Sequence, residues 1–189
     1  MPELKVIRLP ELAESEPECH WYAFKSFYNR VKPFKSALEA AGYQVFVPMK
    51  MAEARQDGVE MRKMVPAIVS LFFVRCSEAF ARQLKLGYND ALMYYPEPGT
   101  NKPAAIKDKE MEMFMFVCKI PDGKAEFFNE DCLQGYVGQK VRVIGGIYKG
   151  AEGYIKRIKK DRRLLVRIEG VAVVATGFIH PSLLEPVEE

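Results

Sequence analysis

Apolar and polar positions alternate along this chain with two different periods, and each period predicts a kind of element. In HWYAFKSF, residues 20–27, Trp21, Ala23 and Lys25 fall on one face and Tyr22, Phe24 and Ser26 on the other. That is the two-residue period of a strand, and aromatics on both faces place it inside a sheet. Val31, Phe34, Leu38 and Ala41 then recur at helical spacing. Asn29 stands where it can cap this helix, Pro33 falls in its first turn and Gly42 at its end. Residues 43–48 predict a second strand, followed by the polar segment KMAEARQDGVEMRK. Its Asp57-Gly58 marks a hairpin tip between strands. Two further strands are expected over 59–65 and 68–75, the second apolar almost throughout and therefore buried. Ser77 caps a short helix that carries Phe80 and Leu84 and closes at Gly87. Residues 91–95 form another strand, PEPGTNKP a loop, and Asp108 caps a helix that runs to about Cys118.

The order β-α-β-β-β-α-β-α therefore fills residues 20–118, an α+β domain with helices against a mixed sheet. Residues 1–19 read as a tail or irregular lead-in, with Pro2, Pro10 and Pro17 among scattered acids. Residues 119–136 have no sustained period and read as a linker, with 137–189 as a second domain. Its pattern is different again. Val141 and Val143 alternate with Lys140 and Arg142, and then Gly145, Gly146, Gly150 and Gly153 crowd around Ile147, Tyr148 and Lys149. Glycines this dense beside β-formers imply positive φ or close backbone contact at the corners of a small barrel. Tyr154, Ile155 and Ile158 resume the apolar signal, and Asp161 turns the chain into Leu164, Val166 and Ile168.

Composition narrows the class. The 189 residues are 49% hydrophobic and 28% charged, which is globular, and no apolar run reaches the roughly 20 residues of a membrane-spanning helix. The acidic start MPELKVIRLPELAESEPE lacks the apolar core of a signal peptide, so a cytoplasmic location is expected. Cys19, Cys76, Cys118 and Cys132 lack C-x-x-C pairing or companion histidines and read as lone thiols, with no metal site. The net charge of +3 is unevenly spread. Ten Lys or Arg lie between Gly138 and Arg167 against Glu152 and Asp161, while residues 9–18 are acidic. The asymmetry points to an anionic partner for the C-terminal domain.

Catalysis finds no footing in this pattern. His20 and His180 stand in no recognised catalytic motif. Gly145 and Gly150 have phosphate-loop spacing, but Ala151 and Glu152 occupy the places of Lys and Ser/Thr, so phosphates would face a carboxylate. A binding role without enzymatic activity or cofactor is expected. In the helix IKDKEMEMFMFVCK, Met111, Phe114, Met115 and Cys118 make a core stripe while Met113, Phe116 and Val117 add apolar surface beyond it, so the helix is either deeply buried or binds a partner.

The run G-x-K-V-R-V-x-x-G-x-Y-K-G-x-x-G, with Gly138, Val141, Val143, Gly146, Tyr148, Gly150 and Gly153, resembles a KOW motif, the signature of the C-terminal domain of NusG-type transcription factors. Ile147 and Tyr148 replace the Pro-Phe of many relatives. Trp21-Tyr22 opening a strand, Pro48 ending the next and VPAIVSLFFVR at 65–75 are similar to the NusG N-terminal domain. The resemblance covers residues 20–186. KPAAIKDKEMEMF, the basic stretch after Val141 and VAVVATGFIHPSLLE are most similar to specialised, UpxY-like NusG paralogues of Bacteroidales. Those act as antiterminators of capsular polysaccharide operons.

The resemblance implies a NusG N-terminal (NGN) domain followed by an SH3-like KOW barrel. It implies docking on the clamp helices of the largest RNA polymerase subunit through Leu71, Phe73, Met111, Phe114 and Met115. Leu71 and Val69 depart from the tyrosine and proline common there, and Trp21 would be structural. Non-template DNA would meet Lys25, Tyr28, Asn29, Arg30, Lys32 and Lys35, and Arg55, Arg62 and Lys63 the opposite polymerase pincer. The run Lys156, Arg157, Lys159, Lys160, Arg162 and Arg163 reads either as a surface for nascent RNA or as a solubilising hairpin edge. General NusG proteins engage Rho or a ribosomal protein through this domain. Glu169 stands where they often have an aromatic, so weak Rho coupling is expected. A housekeeping NusG and a KOW-type, ribosome-associated RNA-binding protein are the alternatives.

Overall fold

The computed structural model describes residues 7–10, 18–56, 59–120, 124–129, 138–158 and 160–187, with backbone alone at 54–56 and 59. The Asp57-Gly58 tip, Lys159 and Cys132 lie outside the described residues. The elements begin with β1 (His20–Ser26), α1 (Val31–Ala40), β2 (Gln44–Phe46), β3 (Met49–Gln56), β4 (Val59–Pro66) and β5 (Leu71–Cys76). Next come α2 (Glu78–Gly87), β6 (Leu92–Tyr94), α3 (Asp108–Lys119) and β7 (Glu126–Asn129). The chain ends with β8 (Lys140–Val143), β9 (Glu152–Ile158), β10 (Asp161–Ile168), β11 (Ala172–Phe178) and β12 (Leu184–Pro186). Contacts group residues 1–47 with 69–108, and residues 48–68 with 109–189. The fold is mixed α/β, with three helices among the described residues.

In the first unit the sheet runs β2-β5-β1-β6 with every neighbour antiparallel. β1 is interior, as its two aromatic faces predict: Phe24 pairs with Phe72 on one side and Tyr94 on the other. The core is aromatic. Phe72 stacks on Phe24 at 5.5 Å and on Phe34 of α1 at 5.9 Å, and Tyr43 stacks on Phe80 at 4.3 Å. Ser77 caps α2 as predicted, its hydroxyl accepting from the Phe80 N–H at 3.1 Å. Gly42 closes α1 at φ 87°. Asn29 does not cap that helix. Arg30 occupies the cap position without a side-chain bond, while Tyr28 and Asn29 both adopt left-handed backbone at φ 58° and 56°. Asn29 serves the turn instead, a role its short polar side chain tolerates.

In the second unit β3 and β4 pair along their whole length, so the polar segment after Pro48 is itself a strand. A six-stranded antiparallel sheet follows in the order β12-β8-β9-β10-β11-β7. No ladder joins β12 to β7 among the described residues, so strand pairing leaves open the barrel expected here. β7 falls inside the segment predicted to be linker, with Phe128 opposite Val173 of β11. Gly146 and Gly150 take φ 74° and 91° in the corner between β8 and β9, which the glycine spacing predicts. Tyr148 is buried there, and its hydroxyl accepts from the Gly177 N–H at 2.9 Å.

Candidate functional site

The apolar patch expected on β5 and α3 is mostly core. Leu71, Phe73, Met111 and Phe114 are all fully buried, and Met115 is half-buried. The reason in β5 is position: Phe73 lies between Ala23 and Phe46, with its ring 6.2 Å from that of Phe46. In α3 the buried stripe is Met111, Phe114 and Val117, a three-residue step that turns Met115 and Cys118 partly outward. Phe116 is the exposed residue, 40% accessible. Of these apolar side chains only Met115 and Phe116 reach the surface, and the four buried ones hold their elements in place. The length and apolarity of β5 foretold burial, and the helical phase of α3 already set Phe116 outside its stripe, whereas Val117, expected beside it, is buried.

The other face of α3 is held by the C-terminal sheet. Glu152 accepts from Arg142 Nε at 2.8 Å and lies 3.5 Å from Lys109 Nζ, with its side chain only 11% exposed. The Arg142 guanidinium, with Lys109 behind it, holds the Glu152 carboxyl below the ordinary carboxylate range. The Glu152 N–H points at the Met113 sulfur at 3.3 Å, and the Glu169 N–H donates to Glu110 Oε1 at 3.3 Å. Glu169, the residue in place of an aromatic, is exposed.

A cationic and aromatic cluster does form where β1 turns into α1. Tyr28 is 77% exposed, with the Arg30 guanidinium 5.8 Å from its ring centroid and Lys25 Nζ 5.7 Å from that of Phe27. The left-handed pair Tyr28-Asn29 throws both side chains outward. Lys32 is exposed nearby, whereas Lys35 is tied to Glu39 at 3.0 Å. Flat rings flanked by cations suit nucleic-acid bases and phosphates. On the β3–β4 hairpin, Lys63 is exposed and Arg62 lies 4.0 Å from Glu53.

The basic run of the C-terminal domain divides. Arg157, Lys160 and Arg162 are exposed and Lys156 half-buried. Arg163 is not part of a free face: its side chain is 11% exposed, pinned to Glu126 at 2.8 Å and near Asp161 at 3.8 Å. Among the positions that resemble a KOW motif, Val141, Val143 and Tyr148 are core, and a Cβ on Gly153 would meet the Leu165 carbonyl.

Among the described residues no group of three or more His, Cys, Asp or Glu is placed to hold a metal ion. Burial pushes the Cys118 thiol up, away from reactive thiolate. No described helix is long and apolar enough to cross a membrane.

Fold and site define a mixed α/β protein whose surface carries exposed cations beside the rings of Tyr28 and Phe27 and an exposed Phe116 on α3. The family model described as transcription termination factor NusG matches residues 19–115, just over half the chain. The chain belongs to the NusG family. Among solved structures, it is similar to one described as domain interaction in Thermotoga maritima NusG. The identity is 18% and the TM-score 0.45, over 90% of this chain and 98% of that one. No curated protein matches.

Proposed function

We infer that the protein is a transcription elongation and antitermination factor that binds RNA polymerase and suppresses pausing or termination without making bonds itself. The NusG family match over residues 19–115 carries this reading. Residues 20–118 act as the NGN domain, 119–136 as its connection onward and 137–189 as a KOW domain. The left-handed Gly146 and Gly150 and the crowded Gly153 are what a tightly cornered KOW unit needs. Met115 and Phe116 of α3 contact the clamp helices of the largest subunit, burying thioether and ring as adaptable anchors. Lys25, Tyr28, Asn29, Arg30 and Lys32 face the displaced non-template strand. Its targets are particular long operons, a reading supported by the resemblance to capsular polysaccharide antiterminators, and it acts in the cytoplasm as a monomer.

Glu169 favours this specialised role over a housekeeping one. An exposed carboxylate must shed water before it enters an apolar contact, which weakens coupling to Rho. The test is capture of RNA polymerase by the full chain from a cell extract. Phe116→Asp with Met115→Asp should lower recovery by at least about tenfold, since two apolar anchors become charges. Unchanged recovery would refute the α3 contact, and no capture by the wild type would refute polymerase binding. Transcript mapping after gene deletion should show premature termination in one long operon; broad changes would favour the housekeeping factor.

A further inference from the structure

Two residues of the β9–β10 ladder and one of its turn work against the hairpin that carries them. Arg157 lies directly opposite Arg162, so two guanidinium groups share one face with their Cβ atoms about 5 Å apart. Directly opposed like charges weaken strand pairing. Both side chains are exposed, and among the described residues no carboxylate lies within ion-pair distance of either, or of the exposed Lys160. The neighbouring pair, Lys156 and Arg163, points to the other face, where Glu126 and Asp161 neutralise Arg163. Lys160 holds the turn at φ 91°, left-handed backbone that glycine adopts without strain. Edge protection explains none of this, because β9 and β10 are interior strands of the sheet. A carboxylate at 162 and a glycine at 160 would each steady the hairpin, so the three cations stand there at a cost to the fold.

What lies beside them narrows the ligand. On the face of Arg157 and Arg162 the next pair inward is Ile155 and Leu164, the first half-buried and the second fully buried. The exposed ring of Phe178 pairs with Arg163 and so stands on the opposite face. Among the described residues no ring contacts any of the three cations. A single strand is gripped by stacking its bases on rings, and a protein partner by a desolvated apolar centre; this face offers neither. A duplex asks for neither. Its bases are hidden and its phosphates lie outermost, where cations alone bind them.

We propose that Arg157, Lys160 and Arg162 grip the phosphate backbone of double-stranded DNA without reading its sequence. The choice of DNA rests on the transcription-factor reading above, because a polymerase has duplex template on either side of it.

Fluorescence anisotropy of the full chain with a labelled DNA duplex of about 20 base pairs, roughly two helical turns, tests it across a salt series. The unpaired strand and an RNA duplex are measured alongside. Arg157→Gln with Arg162→Gln should flatten the slope of log affinity against log salt by about 1.8, two phosphate contacts on a duplex. The same variant should leave binding of the unpaired strand, which the Tyr28 cluster serves, unchanged. Arg162→Glu and Lys160→Gly should each flatten the duplex slope by at least about 0.9, one contact's worth, while melting at or above the wild-type temperature. A loss of that kind is not unfolding. Absence of duplex binding, an unaltered slope in these variants, equal losses on the unpaired strand, or tighter binding of the RNA duplex than of the DNA would overturn the proposal. Polymerase capture by the wild type separates the two readings: capture without duplex binding sinks only this inference, and duplex binding without capture sinks only the transcription-factor reading.

Discussion

Gly153 stands where no side chain has room. A Cβ would run into the Leu165 carbonyl across the β9–β10 ladder, and backbone in a paired strand cannot step aside. Gly153→Ala should cost about 2 kcal/mol in chemical denaturation, in the range of core overpacking. Glu152 next to it makes a pH-dependent contribution. Its hydrogen bond with Arg142 and the nearby Lys109 lower its folded pKa below the ordinary 4.5. The stabilisation is therefore complete above that ordinary value and disappears as pH falls through the folded one. Glu152→Gln should lower the denaturation midpoint at neutral pH, and its gap from wild type should close as pH falls below the ordinary carboxylate range. At this scale the sequence was legible where one residue has one job. Ser77 capped its helix as its type predicts, but Asn29 did not, because the left-handed turn claimed it first.

Elements were legible in proportion to their length. β1 and β5, with seven and six residues, show their burial in their own pattern. β7 has only Glu126-Phe127-Phe128-Asn129, too short to display a period, and it exists because β11 offers a partner more than forty residues on. No local signal encodes such a pairing. The β7 register also brings Glu126 to Arg163, whose side chain is nearly buried. Removing the carboxylate leaves that guanidinium short of its strongest partner. Glu126→Ala should destabilise the fold by about 2 kcal/mol, the scale of a hydrogen bond to a charged group, as thermal or urea unfolding would show. In α3 the helix was legible and its facing only in part, with Met111 and Phe114 inside and Phe116 outside as expected but Val117 buried. An ideal seven-residue stripe predicts Met115 and Cys118 inside, whereas the step of three through Met111, Phe114 and Val117 exposes Phe116.

For the whole molecule, the two β-rich regions could be read from alternation and glycine spacing, and the NusG family match agrees with the motifs in the first. Surface chemistry was harder to read, because an apolar residue in a strand looks the same whether it faces a partner or its own core. Leu71 and Phe73 are the case in point. One feature of the sheets reaches beyond binding. In the four- and six-stranded sheets every outermost strand is brief: β2, β6 and β12 have three residues and β7 four. Pro186 removes a donor from β12 as well. Rims this short offer a neighbouring copy almost no backbone to zip onto, and the longer β3–β4 ribbon carries the exposed cations Lys50, Arg62 and Lys63, which repel a second copy. Crowding many copies together should therefore leave them separate, and sedimentation at rising concentration should show one unchanging species rather than a growing ladder of stacked chains.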